Sequence, residues 1–274
     1  MTAAAIVPAA VLANVRQRWP EIADAWARHV EAESQALCDQ YRATACTVLP
    51  ARYGYVVAID TPDGPLVLRS SPDPHGPNQA AVAEALANLG ISPAVHQTLT
   101  MDHGTWIVLE RATPGTRLYE VDIGAVSLEA LFGPLVAMRH QPPPRPRMPS
   151  ILDWLRSRLE DDRLADRRPG TLIAPAMDRE NALELLAHLA RDHVPGLCHG
   201  DASLGNVIAS GPNRWTYIDP RGMSGESAYD VAVLAIRVAR FRDSADLVPQ
   251  VAETAQVEPD RVRTWMTIAD AARV

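Results

Sequence analysis

The chain has 274 residues, 47% of them hydrophobic and 22% charged, which suits a folded protein with room for one large domain or two lobes. A formal net charge of −7 argues against nucleic-acid binding through overall positive charge, and no apolar run reaches membrane-spanning length. The sequence contains no lysine: all 26 basic residues are arginines, so any role normally filled by lysine falls to arginine or to nothing.

Near the N-terminus, AAAIVPAAVLA has no basic residue before it and is interrupted by Pro8. A first helix from about Ala9 to Trp19 is expected there, not a signal peptide. Cys38, Cys46 and Cys198 form no CxxC pair and read as reduced thiols of a cytoplasmic protein. TVLPARYGYVVAI (47–59) and TPDGPLVLRS (61–70) read as strand-forming runs around a Pro-Asp-Gly turn. After PDPHGP, Pro77 suits the first turn of a helix with Val82, Leu86 and Leu89 on its apolar face and Gly90 as its stop. GTWIVLER (104–111) is another strand, closed by the turn residues Thr113, Pro114 and Gly115.

Beyond Gly115 the texture becomes helical. Leu128, Leu131, Leu135 and Met138 mark one helix, and the prolines of QPPPRPRMP (141–149) exclude helix and sheet interior alike. Ser150 offers an N-cap to ILDWLRSRLEDD. A further helix is predicted from about Arg179 to Asp192. The apolar stretches VPGLC and VIAS then bracket a polar motif, followed by the short strand WTYID and a helix from Tyr229 to Arg240.

That polar motif is HGDASLGN (199–206), with YIDPRG following it. A lone His-Gly-Asp is usually a turn. Asn206, five residues after Asp201, and Asp219 at the end of the next strand raise a different reading. Phosphoryl transfer needs a group to orient the acceptor hydroxyl and oxygen ligands for the cation that binds the phosphate charge. The Asp-x4-Asn spacing is that of a kinase catalytic loop, and a second Asp on a following strand supplies the remaining carboxylate. Asp230, which opens an apolar helix, reads as a brace for this loop or as a carboxylate stabilised by the helix dipole.

LCHGDASLGNVI and YIDPRGMSGESAYDVAVLA resemble the aminoglycoside phosphotransferase family, in particular the branch of streptomycin 6-kinases and hydroxyurea phosphotransferases. Its signature runs HGDxxxxNV, then IDPKGxxGxxAYDxA. LERATPG (109–115) and MPSILDWL (148–155) are similar to further segments of that branch, so the resemblance covers roughly residues 45 to 240. It implies an α+β, bilobal protein-kinase-like fold: a small N-lobe with an antiparallel sheet plus helix (1–111) that binds nucleotide, and a larger, mostly helical C-lobe (112–274) that carries catalysis and the acceptor. It implies ATP and Mg2+ as cofactors. Asp201 matches the catalytic base, and Asn206 and Asp219 match the magnesium ligands. The backbone of Glu110, Arg111 and Ala112 matches the linker that hydrogen-bonds the adenine edge. His199 either fixes the catalytic loop or is a satisfied structural histidine. Glu84 matches the carboxylate that pairs with the phosphate-binding lysine, or lies on a solvated helix face.

Two departures stand out. Arg69 occupies the position of that lysine, and arginine is not its equivalent: it is planar, forked and longer. The phosphate-covering loop has no GxGxxG, a feature the branch shares. For the acceptor, the resemblance implies a cationic antibiotic, either a streptomycin-like aminoglycoside or a cyclic peptide of the viomycin and capreomycin type. Asp161, Asp162 and Glu226 are candidate acidic walls, although a charge run at a helix end is usually solvated. Two alternatives stay open: a kinase of hydroxyurea or another small hydroxylated metabolite, and a nucleotide-binding pseudokinase. A monomer is expected, with no nucleic-acid or membrane partner.

Overall fold

The computed structural model describes residues 6–161, 171–242 and 246–274. The chain divides into two units. One runs to Ala80 and includes Pro93–Arg111; the other comprises Ala81–Ser92 and the chain from Ala112 onward.

The first unit opens with helices α1 (Ala9–Arg18) and α2 (Pro20–Gln40), separated at Trp19 because Pro20 has no N–H to continue α1 and suits the first turn of a new helix. The strands follow: β1 (Ala45–Val48), β2 (Tyr55–Thr61), β3 (Gly64–Ser71), β4 (Val95–Met101) and β5 (Gly104–Glu110). They pair antiparallel in the order β1-β2-β3-β5-β4. The run expected at 47–59 is therefore two strands, because Leu49–Gly54, with Pro50 inside it, breaks the ladder. Two-residue alternation decides what each face carries. On β3, Leu66, Leu68 and Ser70 are buried, whereas Val67 and Arg69 belong to the opposite face. The buried face joins Tyr55, Val57, Ile59, Trp106 and Val108 to Trp26, Val30 and Leu37 of α2 in one core. Both indole N–H groups buried in it are satisfied: Trp26 donates to Ser70 Oγ (3.0 Å) and Trp106 to Glu33 Oε2 (2.7 Å). An unmet donor here would cost about 1–3 kcal/mol. At the edge of this core the reduced Cys38 and Cys46 sulfurs lie 3.2 Å apart.

Helix α3 (Gly76–Asn88) has Pro77 in its first turn, and Gly90 follows its end at φ +73°. Its second half, with Val82 and Leu86, belongs to the core of the second unit. That core also takes in α4 (Leu128–Phe132), α5 (Ile151–Glu160) and α6 (Ala176–Leu189). The single helix expected over 128–138 ends as α4 at Phe132, where Gly133-Pro134 turns the chain into a 3₁₀ stretch, Gly133–Met138. Ser150 caps α5 as expected, its Oγ accepting the Leu152 N–H at 3.1 Å. Two short ladders follow: β6 (Gly196–Leu197) with β9 (Ser224–Gly225), and the hairpin β7 (Val207–Gly211) with β8 (Arg214–Tyr217). Helix α7 (Ser227–Val238) is buried on almost every side, which its run of Ala, Val and Leu permits, and is packed by α8 (Leu247–Ala255) and α9 (Pro259–Ala271). No helix of the described chain is long and apolar enough to cross a membrane.

Candidate active site

The site is built where the two short ladders of the second unit meet. Pairing of Leu197 with Ser224 leads the chain into Cys198 and the HGD turn. No side chain fits at Gly225 in this ladder, since a Cβ there would lie 2.8 Å from Cys198 Sγ and 2.9 Å from Ile151 Cγ2. The loop 199–206 then enters β7. The β7–β8 hairpin returns with Val207 opposite Tyr217, and the Ile218 N–H donates to the Asn206 carbonyl at 2.9 Å. This register sets Asp219 at the same end of the hairpin as Asn206. Asp219 has φ +61°, a left-handed conformation that costs a non-glycine residue about 1 kcal/mol or more. The chain closes on itself where the Arg221 N–H donates to the His199 carbonyl (2.8 Å).

Buried polar groups hold this loop. Asp230, in the first turn of α7, is fully buried; its Oδ2 accepts the His199 N–H and its Oδ1 the Gly200 N–H, both at 2.8 Å. Burial pushes its carboxyl up to about 7, and the two backbone donors limit the rise. The expected brace is thus in place. The ring of His199 is fully buried and spans the motif: Nδ1 accepts from the Asp201 N–H at 3.3 Å and Nε2 donates to the Ile218 carbonyl at 3.0 Å. That pairing requires the neutral Nε2–H tautomer. Burial, which lowers the imidazole below its ordinary range, favours the same form. His199 therefore ties the strand end before Asp219 to the turn bearing Asp201.

Of the residues singled out from the sequence, the structure brings Asp201, Asn206, Asp219 and His199 together. The Asn206 amide donates through Nδ2 to the Asp201 carbonyl (3.0 Å), so its Oδ1 is the atom left for a cation or other donor. Asp201 is half-buried and Asp219 exposed. In the first unit, Arg69 is fixed by two 3.2 Å bonds to Gln79 Oε1, and Gln79 Nε2 in turn donates to Asp73 Oδ2 (2.9 Å). Glu110 ends β5, its N–H donating to the Ala94 carbonyl, and the Arg111 N–H donates to the Pro65 carbonyl. Ala112 begins the second unit, and Glu84 is exposed on α3. Asp161 is exposed at the end of α5, and Asp162 lies outside the described residues.

Glu226 departs from its expected place on an acidic wall. Its carboxylate is committed to α9, accepting from Arg261 Nε (2.7 Å), Arg261 Nη2 (2.8 Å) and the Trp265 indole N–H, with His193 Nδ1 at 3.5 Å. Burial alone would raise this carboxyl; the His193, Arg261 and Trp265 donors instead bring it down to about 2. Two residues went unnoticed in the sequence, Arg221 and Trp154. Arg221 Nη2 lies 3.5 Å from Asp201 Oδ2, and its guanidinium sits 4.2 Å from the centre of the Trp154 ring.

An antiparallel sheet unit followed by a helical unit matches the fold of solved phosphotransferases and kinases. The aminoglycoside phosphotransferase APH(4)-Ia is 18% identical with a TM-score of 0.60, covering 87% of this chain and 88% of that one. A choline/ethanolamine kinase family protein from Mesorhizobium loti is 17% identical with a TM-score of 0.62, covering 88% and 83%. Spectinomycin phosphotransferase APH(9)-Ia, in complex with ADP and spectinomycin, is 12% identical with a TM-score of 0.57, covering 87% and 86%. The fold is thus the bilobal protein-kinase-like fold, α+β in class. No curated protein matches the sequence. The model of the phosphotransferase enzyme family (APH) matches residues 47–265, and the chain belongs to that family. It is therefore a phosphotransferase.

Proposed function

We propose that this enzyme inactivates a cationic, hydroxylated antibiotic by moving the γ-phosphoryl group of ATP to one of its hydroxyls. Its motifs resemble the branch containing streptomycin 6-kinases, which favours such an acceptor. The convergence of Asp201, Asn206 and Asp219 around a braced HGD turn carries the reading. Asp201 orients the acceptor hydroxyl and takes its proton as the oxygen attacks in line with the departing ADP. The amide oxygen of Asn206 and the carboxylate of Asp219 are a hard-oxygen donor set that fits magnesium, an ion commonly held by one or two protein oxygens together with phosphate and water. When bound there, magnesium neutralises charge on the phosphates. Arg69, held by Gln79, supplies the phosphate-binding cation in a chain without lysine, and the backbone of Glu110, Arg111 and Ala112 receives the adenine edge.

A cationic acceptor suits the net charge of −7. It also suits the company of this fold, in which solved relatives bind hygromycin B or spectinomycin or belong to the choline and ethanolamine kinases. The last of these supports a second reading, a kinase of a small amino alcohol. ATP turnover measured against streptomycin, capreomycin, viomycin, hydroxyurea, hygromycin B, spectinomycin, choline and ethanolamine separates the two, together with the drug tolerance of cells expressing the gene. Phosphorylation of choline or ethanolamine alone, with no change in tolerance, would remove the antibiotic reading. Asp201→Ala is expected to lower turnover on the active acceptor by at least about 100-fold while nucleotide still binds.

A further inference from the structure

We propose that Arg221, stacked on Trp154, is the positioning residue of the Asp201 carboxylate; this rests on the phosphotransfer role given to Asp201 above. Arg221 is held at several points. Its N–H donates to the His199 carbonyl (2.8 Å), its Nε donates to the Gly200 carbonyl (3.2 Å), and its guanidinium lies 4.2 Å from the Trp154 ring centre. The loop is shaped to admit it. Gly200 has φ +80°, and a Cβ there would come within 3.0 Å of Arg221 Cβ. Trp154 is itself backed by a second cation, since the buried Arg158 lies 5.0 Å from the ring centre and is anchored on the carbonyls of Ala272 (3.1 Å) and Arg273 (3.2 Å). A row of contacts therefore runs from the C-terminal end of α9 through Arg158, Trp154 and Arg221 to Asp201.

At the end of that row, Arg221 Nη2 faces Asp201 Oδ2 at 3.5 Å. This separation is longer than the hydrogen bonds Arg221 makes to the loop, so the guanidinium is set by the loop and the indole, and the carboxylate orients to it. With Oδ2 held toward the cation, Oδ1 takes the acceptor proton. Only an arginine can do this. One planar fork serves the Gly200 carbonyl, the Asp201 carboxylate and the indole face together, whereas a lysine ammonium is a single point of charge. No covalent change at Arg221 is involved; it works through the rotamer of its neighbour.

The test is steady-state kinetics on the acceptor found above, with ATP hydrolysis to water as a second readout. Arg221→Ala should lower kcat about 30- to 100-fold and leave KM for ATP and acceptor within about threefold, since substrate binding is not its role. Trp154→Leu should lower kcat about 5- to 10-fold. Arg221→Lys should fall between wild type and Arg221→Ala, and serves in its place if the alanine variant does not fold. In an Asp201→Ala background, adding Arg221→Ala should change the residual rate less than about twofold, because a residue acting through Asp201 has nothing left to position. Multiplicative loss in that background, a kcat within threefold of wild type for Arg221→Ala, or a rise confined to KM for ATP would each overturn the proposal. If the wild-type protein turns over no ATP with any acceptor or water, the phosphotransfer reading fails and this proposal fails with it.

Discussion

Asp230 shows how much of the catalytic loop depends on one buried side chain. Its two oxygens are acceptors for the His199 and Gly200 N–H groups, and no solvent reaches them. Asp230→Ala removes both acceptors and leaves two buried donors unmet, at a cost of roughly 2–5 kcal/mol. That loss is read directly from the urea midpoint at pH 7; a change below about 1 kcal/mol would mean the loop holds its own shape. Gly200→Ala tests the other constraint, since φ +80° and the 3.0 Å approach to Arg221 both oppose a methyl group. It should cost about 1–2 kcal/mol from backbone strain and lower turnover by displacing Arg221. At this scale the sequence was most legible where chemistry fixes spacing, as in Asp201, Asn206 and Asp219. Arg221 escaped notice although it is two residues from Asp219. Its meaning comes from Trp154, and a contact between residues 67 positions apart in the chain leaves no local pattern. Glu226 misled for the converse reason: an acidic residue in a loop looks available until the fold delivers Arg261 to it.

Secondary-structure elements were legible where periodicity and punctuation agreed. The hairpin of β2 and β3 announced itself through Pro62-Asp63-Gly64 between apolar runs, and α5 through its Ser150 cap. Strand β4 did not, because Gln97 interrupts the apolar alternation of VHQTLTM, where the register with β5 also shifts between Val95 and Gln97, and none of its residues is fully buried. The clamp that fixes the start of α9 left no trace in the sequence either. Glu226, just before α7, joins Arg261 and Trp265 of α9, and Arg261 also reaches Asp192 (3.2 Å). The carboxyl is held at about 2 against an ordinary 4.5. A depressed carboxyl stabilises the fold at pH above its unfolded value, and that contribution disappears as pH falls from about 4.5 to about 2. Its size is on the order of 3 kcal/mol. Glu226→Gln should therefore be less stable than the wild-type protein at pH 6, with the gap narrowing steadily toward pH 2. Urea unfolding of both proteins across that range checks it, and a gap independent of pH would show that the clamp works by packing and not by charge.

For the whole molecule, the missing lysines change what alkali can do. Arginine keeps its charge far above pH 10, so the usual loss of ammonium charge cannot drive alkaline unfolding here. The pressure comes from groups that the two cores keep neutral. Tyr55, Tyr217 and Tyr229 are fully buried, and Cys38 and Cys198 nearly or fully so. Burial pushes Tyr55 and Cys38 up to about 12, and raises Tyr217, Tyr229 and Cys198 as well. In each case the folded state holds a proton that the unfolded chain gives up, near pH 9 for the thiols and near pH 10 for the phenols. Stability is therefore intact below those values and falls as pH rises past them. With all five groups engaged the fall is roughly 7 kcal/mol per pH unit, set against a typical domain stability of about 5–15 kcal/mol. Cooperative unfolding is expected between about pH 10.5 and 12, with the tyrosinate absorbance of the buried phenols rising in step with the loss of far-ultraviolet circular dichroism. Tyr55→Phe, which removes one titrating group from the first unit, should move the midpoint upward. Buried phenols that ionise while the helical signal stays intact would show that these cores admit water and hydroxide, and that their tyrosines do not set the alkaline limit of the fold.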